Sequence, residues 1–130
     1  MRSKQTILIA DDDPTQRKLL TYELTKIGYK VLIASNGLEA INWLRSPQPR
    51  PDLVLLDLLM PRFSGLDVLE MLKASSSKLP VILMSAAEWP IVRHSVNQLV
   101  PDAFMVKPFD LQNLLAKIET LLHNRLEQAD

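Results

Sequence analysis

The chain has 130 residues, 47% of them hydrophobic, with 15 basic and 15 acidic side chains, no net charge and no cysteine. That length suits one domain with a sizeable core. The composition excludes a disulfide framework, a thiolate metal site and a thiol nucleophile, and argues against binding nucleic acid mainly by charge.

The N-terminal MRSKQ precedes a five-residue apolar run and then three aspartates, too little for a signal peptide or a membrane span. The run itself, Thr6 to Ala10, predicts a strand. Asp13 can cap a helix with Pro14 in its first turn, and Leu20, Leu24 and Ile27 follow at helical spacing until Gly28 stops them. Lys30 to Ala34 predicts a second strand, and Ser35-Asn36-Gly37 a turn. A short helix with Ala40, Ile41 and Leu44 on one side ends before the loop from Pro47 to Pro51. Leu53 to Asp57 is an apolar run ending in an aspartate and bounded by Met60-Pro61 and Ser64-Gly65. It reads as a strand buried on both faces.

Gly65 opens the next helix, with Val68, Leu69 and Leu72 inward, and Ser75-Ser76-Ser77 closes it. Val81 to Ser85 is the fourth strand. A helix is expected from about Trp89 to Leu99, broken by Val100-Pro101-Asp102. Ala103 to Val106 is the fifth strand, followed by Lys107-Pro108-Phe109. The last helix, from Asp110, carries Leu111, Leu114, Leu115, Ile118, Leu121 and Leu122 in the clearest amphipathic pattern of the chain. Five strands alternating with five helices predict a parallel α/β sheet covered on both faces, with the strands at Thr6 and Leu53 central. Ligands of such sheets bind outside the carboxyl ends of the strands.

Those ends carry Asp11-Asp12-Asp13, Asp57, Ser85 and Lys107. Clustered carboxylates repel unless a cation neutralises them, and a hard divalent ion such as Mg²⁺ suits carboxylates, a carbonyl and waters. A carboxylate beside such an ion can attack phosphorus, while a lysine and a hydroxyl cover the remaining phosphoryl oxygens. Asp57 is the expected nucleophile. Asp13 reads as a helix cap, His94 and His123 as surface residues, and Trp43 and Trp89 as packing or partner-contact residues.

The acidic pair after the first strand, Asp57 before Leu59-Met60-Pro61 and the later Gly65, Ser85-Ala86, and Lys107-Pro108-Phe109 stand in this order and spacing. Together they resemble a receiver domain of the two-component response regulator family, from Ile7 to about Leu122. The resemblance implies a flavodoxin-like (βα)5 fold with strand order 2-1-3-4-5, and one receiver domain over 1–130 with a core of about 6–124 and no effector domain. It implies that Asp57 is the phosphoacceptor, and that Mg²⁺, or Mn²⁺ in its place, is held by Asp11, Asp12, Asp57 and the Leu59 backbone carbonyl. Ser85 and Lys107 would engage the phosphoryl oxygens. Phe104 would be the aromatic switch moving with Ser85, and the Lys107-Pro108 bond would be cis.

The implied protein is cytoplasmic and a signalling phosphoprotein rather than an enzyme beyond its own phosphorylation and dephosphorylation. Its donor would be a histidine kinase or histidine phosphotransfer protein. Its output would pass to an effector protein or domain through the face of the fourth predicted helix, the fifth strand and the last helix, which could also join a homodimer. Neither nucleic acid nor membrane would be bound directly. The chain departs from the family pattern with Ser85 for the commoner threonine, Ser64 for Asp or Asn, Asp102-Ala103 for Gly-Ala and a hydroxyl-free Phe104. Leu59 and Ala87 stand at the positions that face the attacking water in the family, and both are apolar.

Two other functions compete. Asp11-Asp12-Asp13-Pro14-Thr15 also resembles the D-x-D-x-T motif of haloacid-dehalogenase-like phosphohydrolases, with Asp11 as nucleophile, but that leaves Asp57 without a role. A receiver-like fold could also bind partners without phosphorylation.

Overall fold

The computed structural model describes residues 4–89, 92–93 and 99–128, with the backbone alone at 127 and 128. The five strands occupy the residues expected of them: β1 is Thr6–Ala10, β2 Lys30–Ala34, β3 Leu53–Asp57, β4 Val81–Ser85 and β5 Ala103–Val106. All pair in parallel, in the order β2-β1-β3-β4-β5. Strands β1, β3 and β4 are buried along their whole length, whereas the edge strands β2 and β5 are only partly covered. This is why the central strands read as continuous apolar runs rather than as alternating ones.

Alternate residues of each strand face opposite layers. Leu8, Val54, Leu56 and Leu83 share one core with Ala40, Val68 and Leu69 of the helices α2 (Gly37–Arg45) and α3 (Gly65–Ala74). Ile7, Ile9, Leu55 and Ile82 share the other with Leu20 and Leu24 of α1 (Pro14–Ile27) and with Leu114 and Ile118 of α4 (Leu111–Gln128). Each of these leucine, isoleucine and valine side chains contributes about 1.5–3 kcal/mol by leaving water.

The helix ends follow local chemistry. Asp13 caps α1 by accepting from the Thr15 amide, with Pro14 in the first turn, and Gly28 ends it at φ 121°. Ser64 and Asp67 cap α3 reciprocally. The last helix starts at Leu111, one residue later than its pattern suggests, because the Asp110 carboxylate accepts from the Gln112 amide and acts as a cap. Of the helix expected over about Trp89 to Leu99, residues 90, 91 and 94–98, His94 among them, lie outside the described residues. Val92 is buried, and its amide donates to the Glu88 carbonyl at 3.1 Å.

Two carboxylates tie strand starts together. Asp52 accepts from the Thr6 amide at 2.8 Å, and Asp102 accepts from the Val81 amide at 2.8 Å. Asp102 thus serves the sheet edge where the family pattern has glycine. The Lys107-Pro108 peptide bond is cis, as expected; so is Gln48-Pro49, which the sequence reading did not anticipate. No helix among the described residues is long and apolar enough to cross a membrane.

Candidate functional site at the carboxyl edge of the sheet

Asp57 is the last residue of β3, between β1 and β4, so its carboxylate emerges at the middle of the sheet's carboxyl edge. Asp11 follows β1 directly. Its amide donates to the Ala34 carbonyl of β2, which extends the ladder by one bond and fixes where the acidic loop begins. Carboxylate oxygens of Asp11, Asp12 and Asp57 all lie within 4.8 Å of one another. Asp11 and Asp57 are buried and Asp12 is exposed, so the cluster opens to solvent on one side.

Lys107, just past β5, is brought in by its amide, which donates to the Ser85 carbonyl at 2.7 Å. Its ammonium sits 2.9 Å from Asp11 Oδ2 and 3.4 Å from Asp57 Oδ2. Asp11 is held at three points: Oδ1 accepts from the Asp13 amide, Oδ2 from Lys107, and its backbone carbonyl from Arg17 Nη1 at 2.7 Å. The Arg17 contact was not legible in the sequence. Arginine four residues into a helix is ordinary, and only the loop's path brings a carbonyl to it.

Burial pushes the Asp57 carboxyl up, and the Asp11 and Asp12 charges push the same way. Lys107 opposes them, leaving a pKa raised to about 6. For Lys107, burial acts to lower the pKa, but the Asp11 hydrogen bond and the Asp57 and Asp11 charges outweigh it, and the pKa is raised. The pocket thus holds three carboxylates against one ammonium. That surplus of negative charge, in a donor set of hard oxygens open to water on one side, fits a small divalent cation.

Ser85 ends β4 and is buried, its hydroxyl accepting from the Ala87 amide at 3.0 Å. Phe104 in β5 packs its ring against Trp89, centroids 5.1 Å apart and tilted by 53°. This gives Trp89 a contact with the candidate switch residue that its sequence position did not reveal. Trp43 lies elsewhere, its indole donating to the Ile33 carbonyl. Leu59 lies in the loop after β3 and is 72% exposed. In that loop Arg62 and Phe63 take left-handed φ values of 54° and 78°. The loop also presses on α2, where a Cβ at Gly37 would lie 2.7 Å from the Phe63 Cβ.

The family model for the response regulator receiver domain matches residues 7–119. The chain is a receiver domain of the response regulator family. A curated relative, the response regulator MprA of Mycobacterium avium, is 35% identical over 124 residues, covering 95% of this chain and 54% of its own length. The receiver domain thus spans about half the length of the curated relatives it matches.

Among solved structures, the response regulator TrrA of Thermotoga maritima, in complex with Mg²⁺ and BeF, is 33% identical with a TM-score of 0.79. The alignment covers 90% of this chain and 98% of that one. The signal receiver domain of a signal transduction histidine kinase from Syntrophus aciditrophicus is 32% identical with a TM-score of 0.83, covering 92% and 91%. The family points to a signalling rather than a catalytic role.

Proposed function

We propose that the receiver domain takes a phosphoryl group onto Asp57 from a phosphohistidine of a kinase or phosphotransfer protein. A carboxylate oxygen of Asp57 attacks phosphorus, the P–N bond breaks, and the imidazole nitrogen leaves with the bonding pair. The observation that carries this reading is the meeting of Asp11, Asp12 and Asp57 within 4.8 Å, with Lys107 spanning two of them. Asp11, Asp12, Asp57 and the Leu59 carbonyl would hold Mg²⁺, which when bound supplies charge neutralisation at the phosphoryl oxygens. Mn²⁺, another oxygen-preferring cation, would serve in its place.

Lys107 is held by Asp11 and is placed to pair with the new phosphoryl oxygens. Ser85 ends the neighbouring strand and can turn its hydroxyl from the Ala87 amide to the phosphoryl group. That movement would shift Phe104 and its partner Trp89, and bias the surface carrying β5 and α4 toward an effector-binding state. The same surface could join two copies of the domain. Leu126, near the end of α4, is exposed and is suited to packing against a partner. A cytoplasmic setting suits a phosphohistidine donor.

Incubation with Mg²⁺ and a small acyl phosphate should add one phosphoryl mass to the intact protein. A chelator, or Asp57→Asn, should abolish the addition. Equal phosphorylation without divalent ion would contradict the proposed role of the acidic cluster.

The exposed Leu59 offers no polar group to orient an attacking water, so the acyl phosphate should be long-lived. Leu59→Asn is expected to speed dephosphorylation roughly tenfold, the equivalent of one hydrogen bond of about 1.4 kcal/mol. An unchanged decay of the phosphorylated mass would sink this assignment.

A further inference from the structure

A second cavity lies at the other end of the sheet, at the loops that lead into β3 and β4. Its volume is about 300 Å³. Three cations line it: Arg50 before β3, Lys78 before β4, and Arg125 near the end of α4. Among the described residues, no aspartate or glutamate lines it. Among the described residues, none of these three cations forms an ion pair with a carboxylate. Asp52, two residues after Arg50, has its carboxylate committed to the Thr6 amide. Its backbone carbonyl accepts from Arg125 Nη1 at 3.0 Å, which orients the guanidinium and leaves most of its donors unspent. The same cavity is lined by Leu72, Leu79 and Pro51, of which Leu72 and Pro51 are buried.

Three cations lining one cavity without a counter-charge among the described residues repel one another, and an anion relieves that repulsion. Guanidinium forks match phosphate oxygens in pairs, whereas lysine adds a point charge. An apolar wall beside them suits a compact ring or short carbon body. A volume of about 300 Å³ is at the small end of ligand sites and leaves no room for a dinucleotide. We propose that this cavity binds a small organic phosphate, its phosphoryl group on Arg50, Lys78 and Arg125 and its body on Leu72, Leu79 and Pro51. Because the cavity joins the loops before β3 and β4 to α4, a bound ligand would tie that helix to the sheet. This site is separate from the phosphoacceptor pocket and does not rest on its chemistry.

The test is a titration of the full chain, without Mg²⁺, followed by amide NMR shifts, using adenosine monophosphate, inorganic phosphate and adenosine as probes. The nucleotide should shift the amides of Asp52, Ser77 to Leu79 and Arg125 with a Kd below about 1 mM. Inorganic phosphate and adenosine should each bind at least about tenfold more weakly, each lacking one half of the recognition. The double variant Arg50→Gln, Lys78→Gln replaces two exposed side chains and should keep its melting temperature while weakening the nucleotide at least about tenfold. Four results would overturn the proposal: no shift up to about 10 mM nucleotide, shifts centred on Asp11 and Asp57, equal affinity for inorganic phosphate, or an unaffected double variant.

Discussion

Asp57→Asn is expected to make the metal-free protein more stable at neutral pH, by about 1–3 kcal/mol. Asp57 is the last residue of a buried strand, and burial first, then the Asp11 and Asp12 charges, raise its pKa to about 6 against the ordinary 3.8. A carboxyl whose folded pKa is raised favours the folded state most when protonated. Its contribution is fully present below pH of about 3.8 and is lost as the pH rises through about 6. Asparagine keeps the shape and carries no charge, so the loss never occurs in the variant.

Denaturant unfolding at several pH values checks this. The two proteins should converge near pH 4 and separate above pH 6, the wild type being the weaker. Mg²⁺ should reverse the order by stabilising the wild type, by about 2.7 kcal/mol at a hundredfold excess over its Kd, with a smaller effect on the variant. A variant less stable than wild type at pH 7.5 without metal would mean that Lys107 outweighs burial and the two other aspartates.

Gly65→Ala should be among the most damaging single substitutions in the chain. Gly65 opens α3, and its amide donates to the Leu58 carbonyl at 2.8 Å, folding the loop after β3 tightly onto the strand end. A methyl group there would collide with the carbonyl oxygen of Asp57 and lie 2.9 Å from Leu58 Cα. Both obstacles are backbone, so no side-chain rotation relieves them. Either α3 shifts or the end of β3 does, and the second moves Asp57, the proposed phosphoacceptor. The expected cost is about 3 kcal/mol or more, with phosphorylation impaired beyond what the remaining folded fraction explains. A loss under about 1 kcal/mol with normal phosphorylation would show that the contact is slack.

The sequence revealed the strands more fully than the helix ends or the support of the site. The runs Thr6–Ala10, Leu53–Asp57 and Val81–Ser85 are legible because both faces of each central strand are buried, leaving no polar interruption. The acidic pair, Asp57, Ser85 and Lys107 are legible for a related reason. Each is a polar residue ending an apolar run, and a parallel sheet brings all such ends to one edge.

What escaped the sequence is what depends on distance in space. Asp52 and Asp102 look like loop acids until strand pairing brings the Thr6 and Val81 amides to them. The grip of Arg17 on the Asp11 carbonyl depends on the turn into α1, and the Trp89–Phe104 contact on how β4 and β5 align. The need for glycine at 37 follows from a loop more than twenty residues away, whose Phe63 backbone and side chain press against it. The start of α4 was misplaced by one residue because aspartate serves equally as a first-turn residue and as a cap. Only the Gln112 amide on the Asp110 carboxylate decides between them.

The central claim is that Asp57, and not its acidic neighbours, is the nucleophile. The most direct measurement is to phosphorylate the protein with a small acyl phosphate and Mg²⁺, reduce the acyl phosphate with borohydride, and locate the modified residue by peptide mass mapping. The predicted result is a single modified site at Asp57, absent from Asp57→Asn. Modification at Asp11 or Asp12 in the wild-type protein would contradict it, because it would place the nucleophile on β1 and return Asp57 to a structural role.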